Sequence, residues 1–149
     1  MNIGEKAPDF TLNDGNGFDW TLSDYLGKTV VLLFYPGDNT PVCTRQLCSV
    51  RDHWSDYQAT GAEVVGISMD SAESHKGFAE KHELPLTLLS DDKGEVTVKY
   101  DLKSWLPGRS ARGVVVIDKA GNIAYHKVQA VSLFKPSDEE VLEAIRRVS

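Results

Sequence analysis

The only two thiols in the chain, Cys43 and Cys48, lie in Pro36-Gly-Asp-Asn-Thr-Pro-Val-Cys-Thr-Arg-Gln-Leu-Cys48, directly after the apolar run Thr29–Tyr35. Thr40 and Pro41 read as the N-cap and first residue of a helix, which puts Cys43 at its third position. The first turn of a helix offers amide N–H groups without intrahelical partners and the positive end of the macrodipole. Both favour a thiolate over a thiol, and an arginine nearby would add to the effect. The thiolate is the nucleophilic form, so Cys43 is the candidate attacking group. Cys48 is a second thiol able to trap whatever Cys43 becomes. The pattern indicates redox chemistry; the plain alternative is a buried cysteine that packs as a small hydrophobe.

Spacing constrains how the two sulfurs can meet. Five residues along an ideal helix separate the Cα atoms by about 8.6 Å, from the rise and a turn of about 140°. A disulfide needs roughly 4.4–6.8 Å. If the helix contains both cysteines and they react with each other, its first turns must unwind. Zinc is the competing use of paired cysteines, but C-x4-C with His53, His75, His82 and His126 scattered along the chain lacks the paired spacing of a zinc site. These histidines read as solvent-facing or helix-surface residues, and no metal is expected. The C-x-x-C of dithiol exchange is absent.

Three nearly continuous apolar runs, Thr29–Tyr35, Ala62–Met69 and Gly113–Ile117, read as strands buried on both faces. A helix over Val42–Ala59, ending at Thr60-Gly61, follows the first of them. A second helix, from about Ser71 to His82, follows the next strand, with Asp70 as N-cap and Glu73 as its N3 partner. This β-α-β-α order predicts parallel pairing. Val114–Tyr125 then reads as two antiparallel strands around an Asp118–Asn122 turn. Ser137-Asp-Glu-Glu140 is a capping box opening a last helix to about Val148. The segment Tyr100–Arg112 is irregular, with a turn at Pro107-Gly108. The fold class expected is α/β, a mixed sheet with helices on both faces, in one domain over residues 1–149.

With 22 acidic against 16 basic residues, a net charge of −6 argues against nucleic acid or an anionic membrane as partner. Neither a signal-peptide core nor a membrane-spanning run is present, so a cytoplasmic protein is expected. In a reducing compartment two cysteines point to catalysis or metal binding rather than to a permanent staple. No G-x-G-x-x-G or phosphate loop indicates a nucleotide or flavin, and no cofactor is expected. Trp20, Trp54 and Trp105 read as packing anchors. Trp54, six residues after Cys48, is also placed to report helix unwinding by its fluorescence.

Pro36-x3-Thr40-x2-Cys43 resembles the active-site signature of the peroxiredoxins, thiol peroxidases on a thioredoxin-like fold. Its continuation Cys43-Thr-Arg-Gln-Leu-Cys48-Ser-Val-Arg-Asp52 is similar to the bacterioferritin comigratory protein (PrxQ) subfamily. Gly4-x3-Pro8-Asp-Phe-x-Leu12, Leu22–Lys28 and Val64-Val-Gly-Ile-Ser68 fall in matching order, so the likeness covers most of the chain.

The resemblance implies that Cys43 is the peroxidatic cysteine, oxidised by hydrogen peroxide or an organic hydroperoxide to a sulfenic acid. It implies that Thr40 orients the peroxide through its hydroxyl and that Pro36 shields the pocket. Cys48 would resolve the sulfenic acid as an intramolecular disulfide, reduced in turn by thioredoxin or a related dithiol. Resolution guards against over-oxidation. The arginine of the family, which would hold the thiolate and polarise a peroxide oxygen, corresponds to Arg112, with Arg109 as runner-up. Members are often monomers.

Gln46 stands where relatives often have Glu; it would steady the loop or face solvent. Three departures stand out: Val42 replaces the usual glycine, Val115 replaces an aromatic expected beneath the site, and the Tyr100–Arg112 loop is short. A slow redox sensor or holdase on the same fold, and a structural domain with incidental cysteines, are the competing readings.

Overall fold

The computed structural model describes residues 1–104, 108–129 and 137–148. Among these residues seven strands form one sheet in the order β2-β1-β5-β4-β3-β6-β7. Its centre is β3 (Val30–Phe34), which pairs parallel with β4 (Glu63–Ser68) and antiparallel with β6 (Arg112–Ile117). These are the three apolar runs of the sequence, and every residue of β3 and β6 is buried. Burying a Val, Leu or Phe side chain fully contributes about 1.5–3 kcal/mol, so strands covered on both faces hold most of the core energy.

The expected hairpin is β6 with β7 (Ile123–Gln129). Its turn is fastened by the Asp118 carboxylate, which accepts from the amides of Ala120 and Asn122 at 3.0 and 2.9 Å. Three further strands are short. Strand β5 (Thr87–Ser90) runs parallel to β4, and β1 (Thr11–Asp14) joins β5 and β2 (Asp19–Thr21) antiparallel at the sheet edge. At three or four residues each, with partly polar composition, they carry too little periodicity to be seen.

The long helix expected over Val42–Ala59 is two: α1 (Pro41–Asp52) and α2 (Trp54–Ala59), broken at His53, whose φ of −109° and ψ of 20° leave the helical region. Helix α3 (Ala72–His82) is capped by Ser71, whose side chain accepts from the Ser74 amide, and not by Asp70. Asp70 instead directs its carboxylate to Ser68 and to the amide of Asp38. A short helix, α4 (Glu95–Lys99), precedes the irregular segment. Helix α5 (Asp138–Val148) starts at Ser137, whose Oγ accepts from the Glu140 amide at 3.1 Å. The Glu140 carboxylate does not close the box but takes Lys127 of β7 at 3.0 Å.

The two parallel crossovers step the same way across the sheet, so one handedness rule sends both to the same face. Residues of α1, α2, α3 and α5 accordingly pack in one cluster with Val31, Leu33, Val114 and Val116. The opposite cluster joins Leu32, Phe34, Val115 and Ile117 to Val96 of α4, Leu22 of a 3-10 turn, and an aromatic group of Phe10, Trp20 and Tyr100. Trp20 stacks on Phe10 and Tyr25 with ring centroids 5.6 and 4.8 Å apart, and Trp54 packs beside Tyr57, so both are the packing anchors expected. Trp105 lies outside the described residues.

Candidate active site

Helix α1 begins as its sequence dictates, with Thr40 extended at the N-cap (φ −80°, ψ 148°), Pro41 at N1 and Cys43 at N3. The Thr40 side chain nevertheless makes no capping bond. Its hydroxyl donates to the Gly37 carbonyl at 3.1 Å, which commits its proton and leaves the oxygen as an acceptor. The first-turn amides beside Cys43 are thus not consumed by the cap. Asn39, just before Thr40, takes a left-handed φ of 63°, a conformation asparagine adopts more readily than most residues, and this turns the chain into the helix.

Cys43 is fully buried among Leu33, Tyr35 and Leu47. Arg112 enters from the first position of β6, 1 % exposed, and donates from Nη2 to Cys43 Sγ at 3.0 Å. Its Nη1 donates to the Gln46 side-chain carbonyl. A cation withdrawn from water costs several kcal/mol unless an anion or good acceptors meet it. Cys43 Sγ is one acceptor that meets it, and Gln46 one turn further along α1 fixes the guanidinium plane. Of the two arginines considered, the geometry brings Arg112 and not Arg109 to the sulfur. Arg109 is exposed and lies over Gly37, where an added Cβ would come 2.9 Å from its Nη1.

The loop between β3 and α1 is held from both sides. The Asp38 amide donates to Asp70 Oδ2 at 2.6 Å. The Asp38 carboxylate accepts from Tyr35 Oη (2.7 Å) and Ser74 Oγ (2.8 Å) and pairs with His75 Nδ1 at 2.8 Å. Ser110, two residues before Arg112, donates to the Tyr35 carbonyl at 2.9 Å, tying the arginine's strand to the same loop. Burial pushes the Asp38 carboxyl up, but the hydrogen bonds from His75 and Tyr35, with the His75 charge and Ser74, outweigh it and leave the group below its ordinary value. Burial, reinforced by the Asp38 charge, drives the Tyr35 phenol well above its own.

Cys48 is half-buried on the same helix, and both cysteines are free thiols. Immediately after it, Ser49 donates to Asp138 at the start of α5, and Tyr57 Oη donates to the same carboxylate at 2.6 Å. Pro36 is half-buried between Tyr35 and Gly37. The structure therefore gathers Thr40, Cys43 and Arg112 around the first turn of α1, with Pro36 in the loop that leads into it and Cys48 a little over one turn away.

The structure chooses between the two readings of Gln46 and changes the expectations for Val115 and His75. Gln46 does not face solvent; it is 3 % exposed and bound to Arg112. Val115 does not floor the site, because alternation along β6 sends Arg112, Val114 and Val116 toward α1 and Val115 to the opposite cluster. His75 is not a helix-surface residue but wholly buried. Its signal was present in the sequence: it lies three residues before Phe78 on α3, the spacing of one helix face.

A family model described as the AhpC/TSA family matches residues 3–126. The chain belongs to the AhpC/TSA family, among the peroxiredoxins. It is 48 % identical over 129 residues to the chloroplastic peroxiredoxin Q of Triticum aestivum, a match covering 84 % of this chain and 58 % of that protein. The chloroplastic peroxiredoxin Q of Arabidopsis thaliana is 50 % identical over 125 residues, covering 81 % of this chain and 56 % of that one. The chain thus spans less than two thirds of the length of these curated relatives. Among solved structures, peroxidoxin BcpB of Mycobacterium tuberculosis superposes with a TM-score of 0.89 at 31 % identity, over 100 % of this chain and 99 % of the other. AhpC of Enterococcus faecalis, at 24 % identity and a TM-score of 0.90 over 99 % and 92 % of the two chains, shares the fold. This fold is the thioredoxin-like arrangement expected of a peroxiredoxin, a mixed sheet with helices against both faces.

Proposed function

We propose that the chain is a thiol-dependent peroxidase that reduces hydrogen peroxide and organic hydroperoxides. The observation that carries this is the 3.0 Å contact between the buried Arg112 guanidinium and Cys43 Sγ at the N-terminus of α1. In the first step the Cys43 thiolate attacks one peroxide oxygen. An S–O bond forms and the O–O bond breaks, leaving a sulfenic acid and an alkoxide or hydroxide that takes up a proton to leave as alcohol or water. Arg112 stabilises the developing negative charge, and the Thr40 oxygen accepts a hydrogen bond from the peroxide.

In the second step Cys48 displaces water from the sulfenic sulfur and forms the Cys43–Cys48 disulfide. Both sulfurs sit on α1, so this step requires the helix to open between them. Thioredoxin or a related dithiol protein then returns both thiols and is itself oxidised. The reading extends to a single domain acting as a monomer in the cytoplasm.

The test is peroxide consumption by the reduced protein with a dithiol reductant. Turnover that disappears in Cys43→Ser supports the reading, and turnover that survives the substitution refutes it.

A further inference from the structure

We propose that His75 is a positioning residue for the peroxide reaction, a buried imidazolium that acts through Asp38 to hold the Pro36–Thr40 loop against the start of α1. The proposal rests on the peroxidase reading and adds a residue outside the cysteine pocket.

Hydrogen-bond accounting fixes the charge. His75 Nδ1 lies 2.8 Å from Asp38 Oδ2, and Nε2 lies 2.9 Å from the carbonyl oxygen of Leu89 on β5. The Leu89 carbonyl can only accept, and so does the Asp38 carboxylate, which already receives Tyr35 Oη and Ser74 Oγ as donors. A neutral imidazole has one donor and one acceptor nitrogen, so either tautomer would aim a lone pair at an oxygen. The doubly protonated ring alone satisfies both, and the Asp38 carboxylate supplies its counter-charge. Tyr35 Oη, 3.4 Å from Nδ1, already donates to Asp38 Oδ1. The side chains of His75 and Asp38 are 0 % and 1 % exposed, so the pair is cut off from solvent screening.

A buried ion pair is weak support for stability, because apolar residues of like volume often serve as well. What it provides here is placement. Asp38 is fixed at its carboxylate by Tyr35, Ser74 and His75 and at its amide by Asp70. The next carbonyl back along the chain is Gly37, which receives the Thr40 hydroxyl. The line of contacts runs from α3 and β5 through His75, Asp38 and Gly37 to Thr40, three residues before the nucleophile. With the loop fixed, the opening of α1 that lets Cys48 reach Cys43 begins after Thr40, and Pro36–Asn39 remain as the template on which the site re-forms.

The test uses the reduced full-length chain. Nitrogen-15 spectra of the His75 ring near pH 7.5 are expected to show both nitrogens protonated. Stopped-flow oxidation by hydrogen peroxide is then compared for wild type, Asp38→Asn, His75→Gln and the double variant. Each single substitution is expected to slow Cys43 oxidation about tenfold or more, since small misplacements of reacting groups cost up to about a hundredfold. The double variant is expected to be no slower than the slower single, the mark of two residues acting as one unit. A ring with one unprotonated nitrogen, single variants within twofold of wild type, or effects that multiply would overturn the proposal. The isosteric Asp38→Asn and the wild-type spectrum decide the matter if His75→Gln does not fold. If wild type itself fails to react with peroxide, the peroxidase reading falls separately; iodoacetamide alkylation of Cys43 then supplies the rate compared across the same four proteins.

Discussion

Arg112 Nη2 and Cys43 Sγ, sixty-nine residues apart in the chain, stand 3.0 Å from each other with both side chains buried. The sheet makes this possible, because Arg112 opens β6, which pairs antiparallel with β3, the strand that leads into the cysteine loop. The position of the guanidinium beside the sulfur is thus set by strand register.

Arg112→Ala is expected to lower the second-order rate constant for Cys43 oxidation by about a hundredfold or more, the scale on which one preorganised charge donor acts. Arg112→Lys should recover only part of the loss, since one ammonium cannot bond Gln46 and Cys43 in the fork geometry of a guanidinium. Arg109→Ala should stay within twofold of wild type. Stopped-flow rates at equal peroxide check all three, and equal losses at both arginines would contradict the assignment.

Gln46→Ala removes the acceptor for Arg112 Nη1 inside the core. Leaving a buried charged donor short of a partner costs about 1–3 kcal/mol. A lower urea midpoint and a slower peroxide reaction, intermediate between wild type and Arg112→Ala, are expected from chemical denaturation and stopped flow on the same samples.

Gly113 follows Arg112 on β6, and a Cβ there would meet Leu102 Cδ1 and lie 2.9 Å from the backbone oxygen of Lys127. The leucine tip can shift, but the backbone of the paired strand cannot. Gly113→Ala is therefore expected to destabilise by about 1–3 kcal/mol as overpacking and to slow peroxide reduction by displacing Arg112. Thermal melts with peroxide assays separate the two effects.

The Asp38 carboxyl is held below its ordinary value of 3.8, against its burial, by its partners His75, Tyr35 and Ser74. A carboxyl lowered in the folded state contributes stability above its unfolded pKa and loses it as pH falls through the folded one. The stability gap between wild type and Asp38→Asn should accordingly shrink as pH falls below about pH 4. Urea midpoints measured across the acid range check it; a gap that does not narrow there would show that the carboxylate is not the group responsible.

Much of this architecture is legible in the residues themselves. The unbroken apolar runs of β3, β4 and β6 follow from burial on both faces, and Thr40-Pro41 and Ser137 each mark a helix start on local chemistry alone. What stays hidden depends on pairing between distant residues. Nothing near His75 announces Asp38, thirty-seven residues away, and although its spacing from Phe78 puts it on the buried face of α3, only the folded sheet brings it the Leu89 carbonyl. Gln46 was ambiguous for the same reason, since its partner arrives on β6. Val115 lies one residue of alternation from the positions that face α1, enough to put a side chain on the other face of a sheet.

Cys48→Ser is expected to form the sulfenic acid with one equivalent of peroxide and, with a second, to accumulate sulfinic acid at Cys43, seen as added oxygen by intact mass. Normal recycling by a dithiol in this variant would remove Cys48 as the resolving thiol.

The most direct test of the central claim is stopped-flow Trp fluorescence of the reduced chain mixed with stoichiometric hydrogen peroxide, followed by mass spectrometry of the cysteines. The expected result is a fast phase that requires Cys43, then a slower change that requires Cys48 as α1 opens near Trp54, ending in a product lighter by two hydrogens with Cys43 and Cys48 joined. Both thiols still free after the peroxide has been supplied, or oxidation at Cys48 with Cys43 untouched, would contradict the account.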